Sequence, residues 1–285
     1  MPMLEWMDPA LAGLLGLVIG SFLNVVIYRL PRILEAQWAR ECADLQGETA
    51  GQPAPSFNLM TPGSQCQACG HRIRWYENIP VLSFLFLRGH CSACGQSISW
   101  RYPLVEAVSA GLFAFCIHRW GLTPTAALWC LFSSMLLAAA LIDWDTTLLP
   151  DNLTLPLMWA GLIGAALGWT GVHLPDALWG AVGGYMSLWT VYWGFKLLTG
   201  KEGMGFGDFK LFAALGAWFG WQALVPIILM SSVIGALIGI GMKFTSGLRE
   251  GGYIPFGPFL AGAGFAALFW GADHVQHGLL GLMGL

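Results

Sequence analysis

Residues 211–242 read LFAALGAWFGWQALVPIILMSSVIGALIGIGM, 32 consecutive positions without Asp, Glu, Lys or Arg. As one helix they would extend about 48 Å, whereas about 20 residues suffice to cross roughly 30 Å of hydrocarbon. Gly220-Trp221-Gln222, followed by Pro226, interrupts the run near its middle. Glycine permits a sharp turn there and proline cannot continue an interior helical ladder, so the stretch reads as two short crossings. Working outward, residues 9–28, 120–142, 152–175, 177–195 and 251–272 are also free of charged side chains, and residues 102–118 are interrupted only by Glu106 and His118. The pattern predicts an all-α polytopic membrane protein with about eight transmembrane helices.

Composition agrees. Only 10% of the chain is charged, against roughly 25% in a soluble globular protein. That excludes a disordered chain, a coiled coil and an ordinary water-soluble domain. Thirteen Lys and Arg against 16 Asp and Glu give a net charge of -3. No basic surplus is left for a phosphate backbone, so the expected partner is the lipid bilayer and not a nucleic acid.

The basic residues orient the chain. Arg29, Arg32, Arg40, Arg72, Arg74, Arg88 and Arg101 lie between the first and second spans; Lys196, Lys201 and Lys210 between the fifth and sixth; Lys243 and Arg249 between the seventh and eighth. With eight crossings these loops share one face, which the positive-inside rule makes cytoplasmic; only Arg119 is opposite. A single crossing over 211–242 would move Lys243 and Arg249 to the other side and weaken the bias. At the N-terminus, Glu5 and Asp8 stand where a signal peptide carries basic residues, and no small-residue cleavage site follows. The segment reads as a membrane anchor.

One long polar insertion, residues 29–101, interrupts the apolar pattern. It contains Cys66-Gln67-Ala68-Cys69-Gly70 and Cys91-Ser92-Ala93-Cys94-Gly95. Two such turns bring four thiolates to the corners of a tetrahedron, the arrangement of a zinc ribbon. A pair of disulfides is the competing reading, and a reducing cytoplasmic face disfavours it. A closed site of four thiolates keeps no open coordination position, so the zinc is expected to be structural. Cys42, Cys116 and Cys130 have no partner motif and read as apolar filler.

The few acidic residues beside apolar runs carry the remaining information. Asp143 follows the third span in Leu141-Ile142-Asp143-Trp144-Asp145, ahead of Leu149-Pro150-Asp151. Asp208 ends Gly203-Met204-Gly205-Phe206-Gly207-Asp208, directly before the sixth span. Ionisable groups at membrane depth cost about 2.5–3.5 kcal/mol on insertion scales and so point to function. Two facing carboxylates share a proton, one serving as general base on water while the other protonates the reacting carbonyl or leaving amine. Glycines before Asp208 would let an extended backbone approach it. Capping of a helix by Asp208, and solvated positions for Asp145 and Asp151, remain open on this pattern alone. No HExxH or GxSxG motif is present, and the glycines follow no strand, which argues against a dinucleotide site. An ion-coupled transporter or a non-enzymatic secretion-apparatus scaffold is the alternative.

Taken together, these segments resemble the bacterial type IV prepilin peptidases, a family of GxGD-type membrane aspartic proteases. The resemblance rests on Gly20-Ser21-Phe22-Leu23-Asn24-Val25-Val26-Ile27-Tyr28-Arg29-Leu30-Pro31, the paired CxxC loop with Trp75-Tyr76-Glu77-Asn78-Ile79-Pro80, and Arg101-Tyr102-Pro103-Leu104-Val105-Glu106. It continues through Ile142-Asp143, Leu149-Pro150-Asp151 and Gly205-Phe206-Gly207-Asp208-Phe209-Lys210, to about Pro258. It implies that Asp143 and Asp208 are the catalytic pair, and it selects Asp143 over Asp145. It further implies removal of a short basic leader from type IV prepilins and type II secretion pseudopilins. N-methylation of the new N-terminal residue, with S-adenosylmethionine as methyl donor, would follow. The enzyme would lie in the bacterial inner membrane with its active site at the cytoplasmic face. Three regions are then expected: residues 1–28 as first anchor, 29–101 as cytoplasmic loop with the zinc site, and 102–285 as membrane-embedded peptidase core. No separate nucleotide-binding fold is apparent, and Glu77, Asn78 and Glu106 are the polar residues set against the methyltransferase site.

Overall fold

The computed structural model describes residues 2–47, 57–201, 203–244 and 254–271, with side chains from Met7 onward. Nine α-helices occur among them: α1 (Pro2–Leu45), α2 (Leu82–Phe86), α3 (Arg101–Trp120), α4 (Pro124–Thr146), α5 (Asp151–Ala166), α6 (Leu174–Thr199), α7 (Phe206–Phe219), α8 (Leu224–Phe244) and α9 (Gly257–Trp270). Apart from the five-residue α2, they fall one for one on the eight apolar runs. The described residues form no strand, only isolated bridges between Gln65 and Arg72 and between His90 and Ser97. By length and composition alone, residues 7–45, 124–146 and 221–244 are helices able to cross a membrane.

The run that opened the sequence reading is broken as its residues demand. Gly220 has φ +81° and ends α7, donating its N–H to the Gly216 carbonyl at 2.9 Å. A single 3-10 turn at Trp221–Ala223 then leads into α8, with Pro226 in the first turn where a missing amide costs little.

The first apolar run does not end its helix where its charges begin. α1 continues through Pro31 to Leu45. Arg32 turns back over the Tyr28 ring, its guanidinium 3.5 Å from the centroid, and donates to the Tyr28 carbonyl. Arg29 is buried and donates to the Asn58 carbonyl at 3.0 Å, fastening the loop to the helix.

The chain forms two compact units, residues 1–130 and 131–285, with the boundary inside α4. In the first, α1 packs on α3 through glycine: a Cβ on Gly16 would lie 2.7 Å from the Ala110 Cα and the Ser109 carbonyl, and one on Gly20 would lie 2.7 Å from the Glu106 Cα. Such small-residue seams replace the hydrophobic driving force that helices lack in lipid. Asn24 Nδ2 donates to the Tyr102 carbonyl across the same pair.

In the second unit α7 is the central element, with every residue from Leu211 to Trp218 buried. Gly180 of α6 and Gly216 of α7 touch backbone to backbone, and a Cβ on either would overlap the other's carbonyl. On the α5 side, Trp218 is fully buried over Gly161 and its Nε1–H donates to the Leu157 carbonyl at 2.8 Å. These contacts fix the depth and rotation of α7, and with it Asp208.

Candidate active site and metal centre

Both aspartates of the sequence reading are buried at helix ends in the second unit, Asp143 at 4% exposure and Asp208 at 3%. Asp143 occupies the last turn of α4. Its Oδ2 accepts a hydrogen bond from the Gly257 N–H at 3.0 Å, the first residue of α9. Asp208 is the third residue of α7, and its carboxylate lies beside Gly205, the N-cap residue of that helix. Both carboxylates thus lie at a helix N-terminus, Asp143 at that of α9 and Asp208 in the first turn of α7, where four amides otherwise lack partners. Asp208 is therefore not the N-cap of α7, a position that Gly205 occupies; it is buried in the first turn. The two carboxylates are close enough for the charge on Asp143 to act on Asp208.

Burial separates Asp143 from its neighbour: Asp145 is exposed two residues on. Asp151 is exposed as well, and it joins the Lys210 ammonium at 2.6 and 2.8 Å. That ion pair ties the start of α5 to the first turns of α7, two residues after Asp208.

Two glycines shape the pair. A Cβ on Gly207 would meet the Leu149 Cβ at 2.5 Å, and one on Gly257 would meet Asp143 Oδ2 at 2.5 Å and Leu149 Cδ1 at 3.0 Å. The space expected to be open at Gly207 is therefore taken by Leu149, whereas Gly205 faces nothing nearer than Asp208 Oδ2 at 3.9 Å. Gly257 was not singled out from the sequence, because no acidic residue or spacing marks Pro255-Phe256-Gly257-Pro258. The only signal was a Pro-Phe-Gly-Pro helix start.

The metal centre belongs to the first unit. The sulfurs of Cys66, Cys69, Cys91 and Cys94 all lie within 4.8 Å of one another. Each CxxCG turn closes in the same way: the Gly70 N–H donates to the Cys66 carbonyl and the Gly95 N–H to the Cys91 carbonyl, with φ +71° and +72° at the glycines. The amides of Cys69 and Ala68 hold the Cys66 thiol down to about 6. Cys94 is pushed up to about 11: the Gln96 amide favours its thiolate, but crowding by Cys69, burial and the other two cysteines outweigh it. Four thiolates this close repel unless a cation lies among them, so the donor set fits a metal ion such as zinc.

Glu77 braces the two turns. Its carboxylate accepts from the Arg74 N–H at 2.9 Å and the Ser92 hydroxyl at 2.6 Å, and His71 Nε2 lies at 3.3 Å. The Ser92 and Arg74 donors hold its carboxyl down to about 2. Glu106, buried on α3, accepts from the Val81 N–H at 2.7 Å. Both carboxylates set against a methyl-transfer site thus hold the insertion together and fasten it to the helices.

These features define a polytopic helical membrane protein with a buried carboxylate pair and a four-cysteine metal centre. Residues 14–120 match the bacterial peptidase A24 N-terminal domain and residues 130–240 match the type IV leader peptidase family. The prepilin leader peptidase/N-methyltransferase of Pseudomonas putida is 53% identical over 283 residues, covering 98% of this chain and 97% of that protein. Proteins of the same name from Pseudomonas aeruginosa and Xanthomonas campestris pv. campestris are 51% and 48% identical, over 90% and 97% of this chain and 89% and 96% of their own lengths. No solved structure matches. The chain belongs to the type IV leader peptidase family, which leaves the transporter and scaffold alternatives without support.

Proposed function

We propose that this chain cleaves the short basic leader from type IV prepilins and type II secretion pseudopilins, using Asp143 and Asp208 as the catalytic pair, and then N-methylates the new N-terminal residue. The observation that carries the peptidase reading is the pair itself: two buried, electrostatically linked carboxylates, each beside a helix N-terminus. One carboxylate, ionised, takes a proton from water as the water attacks the scissile carbonyl; the other, protonated, gives its proton to the carbonyl oxygen and the exchange reverses as the amine departs. At 14 residues α7 is about 21 Å long, shorter than the roughly 30 Å core of a bilayer. That draws Asp208 toward the depth at which a leader meets an apolar helix.

The distribution of basic residues supports an inner-membrane location with this end of the helices at the cytoplasmic face. Cys66, Cys69, Cys91 and Cys94 would hold one structural zinc ion, whose closed coordination suits stabilising the insertion. The relatives carry N-methyltransferase in their names, and the family resemblance implies that the methyl group would come from S-adenosylmethionine. In membranes containing a prepilin, Asp143→Asn and Asp208→Asn should each abolish leader removal. The same variants should still methylate a substrate supplied already cleaved. Normal cleavage by either variant would overturn the catalytic assignment.

A further inference from the structure

The cysteine insertion carries an inverted helix. In α2, Ser83 and Phe84 face inward, while Leu82, Leu85 and Phe86, spaced i, i+3 and i+4 along one face, are 51%, 59% and 84% exposed. The inward face is well tied. Ser83 Oγ donates to the Tyr76 carbonyl at 2.7 Å and accepts from the Ile79 N–H at 2.9 Å, and the Phe84 ring meets Trp100 at 4.7 Å between centroids. Trp75, 82% exposed, opens the turn on which α2 rests, and Trp100, 73% exposed, immediately precedes α3. A water-facing module would turn such side chains inward.

Two observations name what covers this face. The first is continuity: Trp100 is the residue before a membrane helix, and the Phe84–Trp100 contact fixes α2 beside it. The second is charge: within residues 57–101, Arg72, Arg74, Arg88 and Arg101 outweigh both Glu77, whose carboxylate is engaged within the module, and the net negative charge that four thiolates keep around a divalent ion. Aromatic side chains at headgroup level with arginines beside them are the chemistry of an anionic lipid surface. We infer that the metal-binding insertion lies on the bilayer from which α3 starts, sinking Leu82, Leu85, Phe86 and Trp75 into the headgroup and acyl boundary of anionic lipid.

The inference does not rest on the cleavage reading. The test places a photoreactive residue in the full-length protein, as Phe86→p-benzoylphenylalanine and, in a second sample, Trp75→p-benzoylphenylalanine. Each is reconstituted in phosphatidylcholine and phosphatidylglycerol vesicles, with Ala68→p-benzoylphenylalanine on the exposed first cysteine turn as comparison. After irradiation, mass spectrometry should find lipid adducts several-fold more abundant at 86 and 75 than at 68. Equal adducts at all three positions, or none at 86 and 75, would overturn the inference. Adducts to added prepilin in place of lipid would also overturn it and assign the face to protein docking. Unchanged metal content in each sample shows that the label has not unfolded the module.

Discussion

The metal centre and the carboxylate pair solve opposite problems. The four cysteines are spread over exposed and half-buried positions on turns whose hydrogen bonds are nearly all local, Gly70 to Cys66 and Gly95 to Cys91. Two short turns, braced by Glu77, bring the sulfurs together, and a metal ion would close the site. The aspartates are buried, 65 residues apart in the numbering, and their surroundings come from α4, α7 and α9 together. A site of the first kind would be held shut by the ion it binds. The second kind is held by helix packing, and its burial makes each missing hydrogen bond costly.

That contrast can be broken in graded steps. Loss of either carboxylate should have the largest effect: Asp143→Ala or Asp208→Ala should lower cleavage by about 10²–10⁴-fold while metal content, read by elemental analysis, stays at one ion per chain. Next comes Gly257→Ala. Its methyl would lie 2.5 Å from Asp143 Oδ2, and displacing a reacting group by an ångström costs on the order of 10²-fold. A variant cleaving at the normal rate would show that the Gly257 contact does not set the geometry of the pair.

Cys66→Ser should act on the other site. Metal content should fall, and limited proteolysis should cut residues 57–100 faster, while the thermal transition of the second unit in detergent moves little. An equal loss of stability in both units would contradict the local character of the cysteine turns. Gly216→Ala probes the packing that holds α7: overpacking costs about 1–3 kcal/mol, visible as a lower unfolding temperature with the metal retained. The smallest effect belongs to Lys210→Gln, because a partly exposed ion pair is worth about 0–1 kcal/mol. Thermal stability should barely change, and a large loss would mean that the tie between α5 and α7 does more than its exposure suggests.

Much of this was legible residue by residue. The division of 211–242 followed from Gly220 and Pro226, since a backbone turn and a missing amide are local properties. The cysteine centre followed from spacing for the same reason. The extension of α1 past Arg29 and Pro31 was not legible, because Arg29 is satisfied by a distant partner, the Asn58 carbonyl, while Arg32 lies back over the Tyr28 ring one turn away. Nor was the role of Glu77 and Glu106, whose donors lie 15 and 25 residues away at Ser92 and Val81.

The sequence by itself determined the helical membrane architecture, the four-cysteine cluster and the two acidic positions worth singling out, because hydropathy, turn chemistry and ligand spacing act over a few residues. Tertiary structure alone decided that Asp143 is buried and Asp145 exposed, and that Leu149 fills the space beside Gly207. It also decided that Asp143 accepts from an amide 114 residues away at Gly257. Those outcomes depend on how far helices approach one another. The approach is set by glycine contacts such as Gly180 on Gly216, whose two members carry no mark in their own stretches of chain.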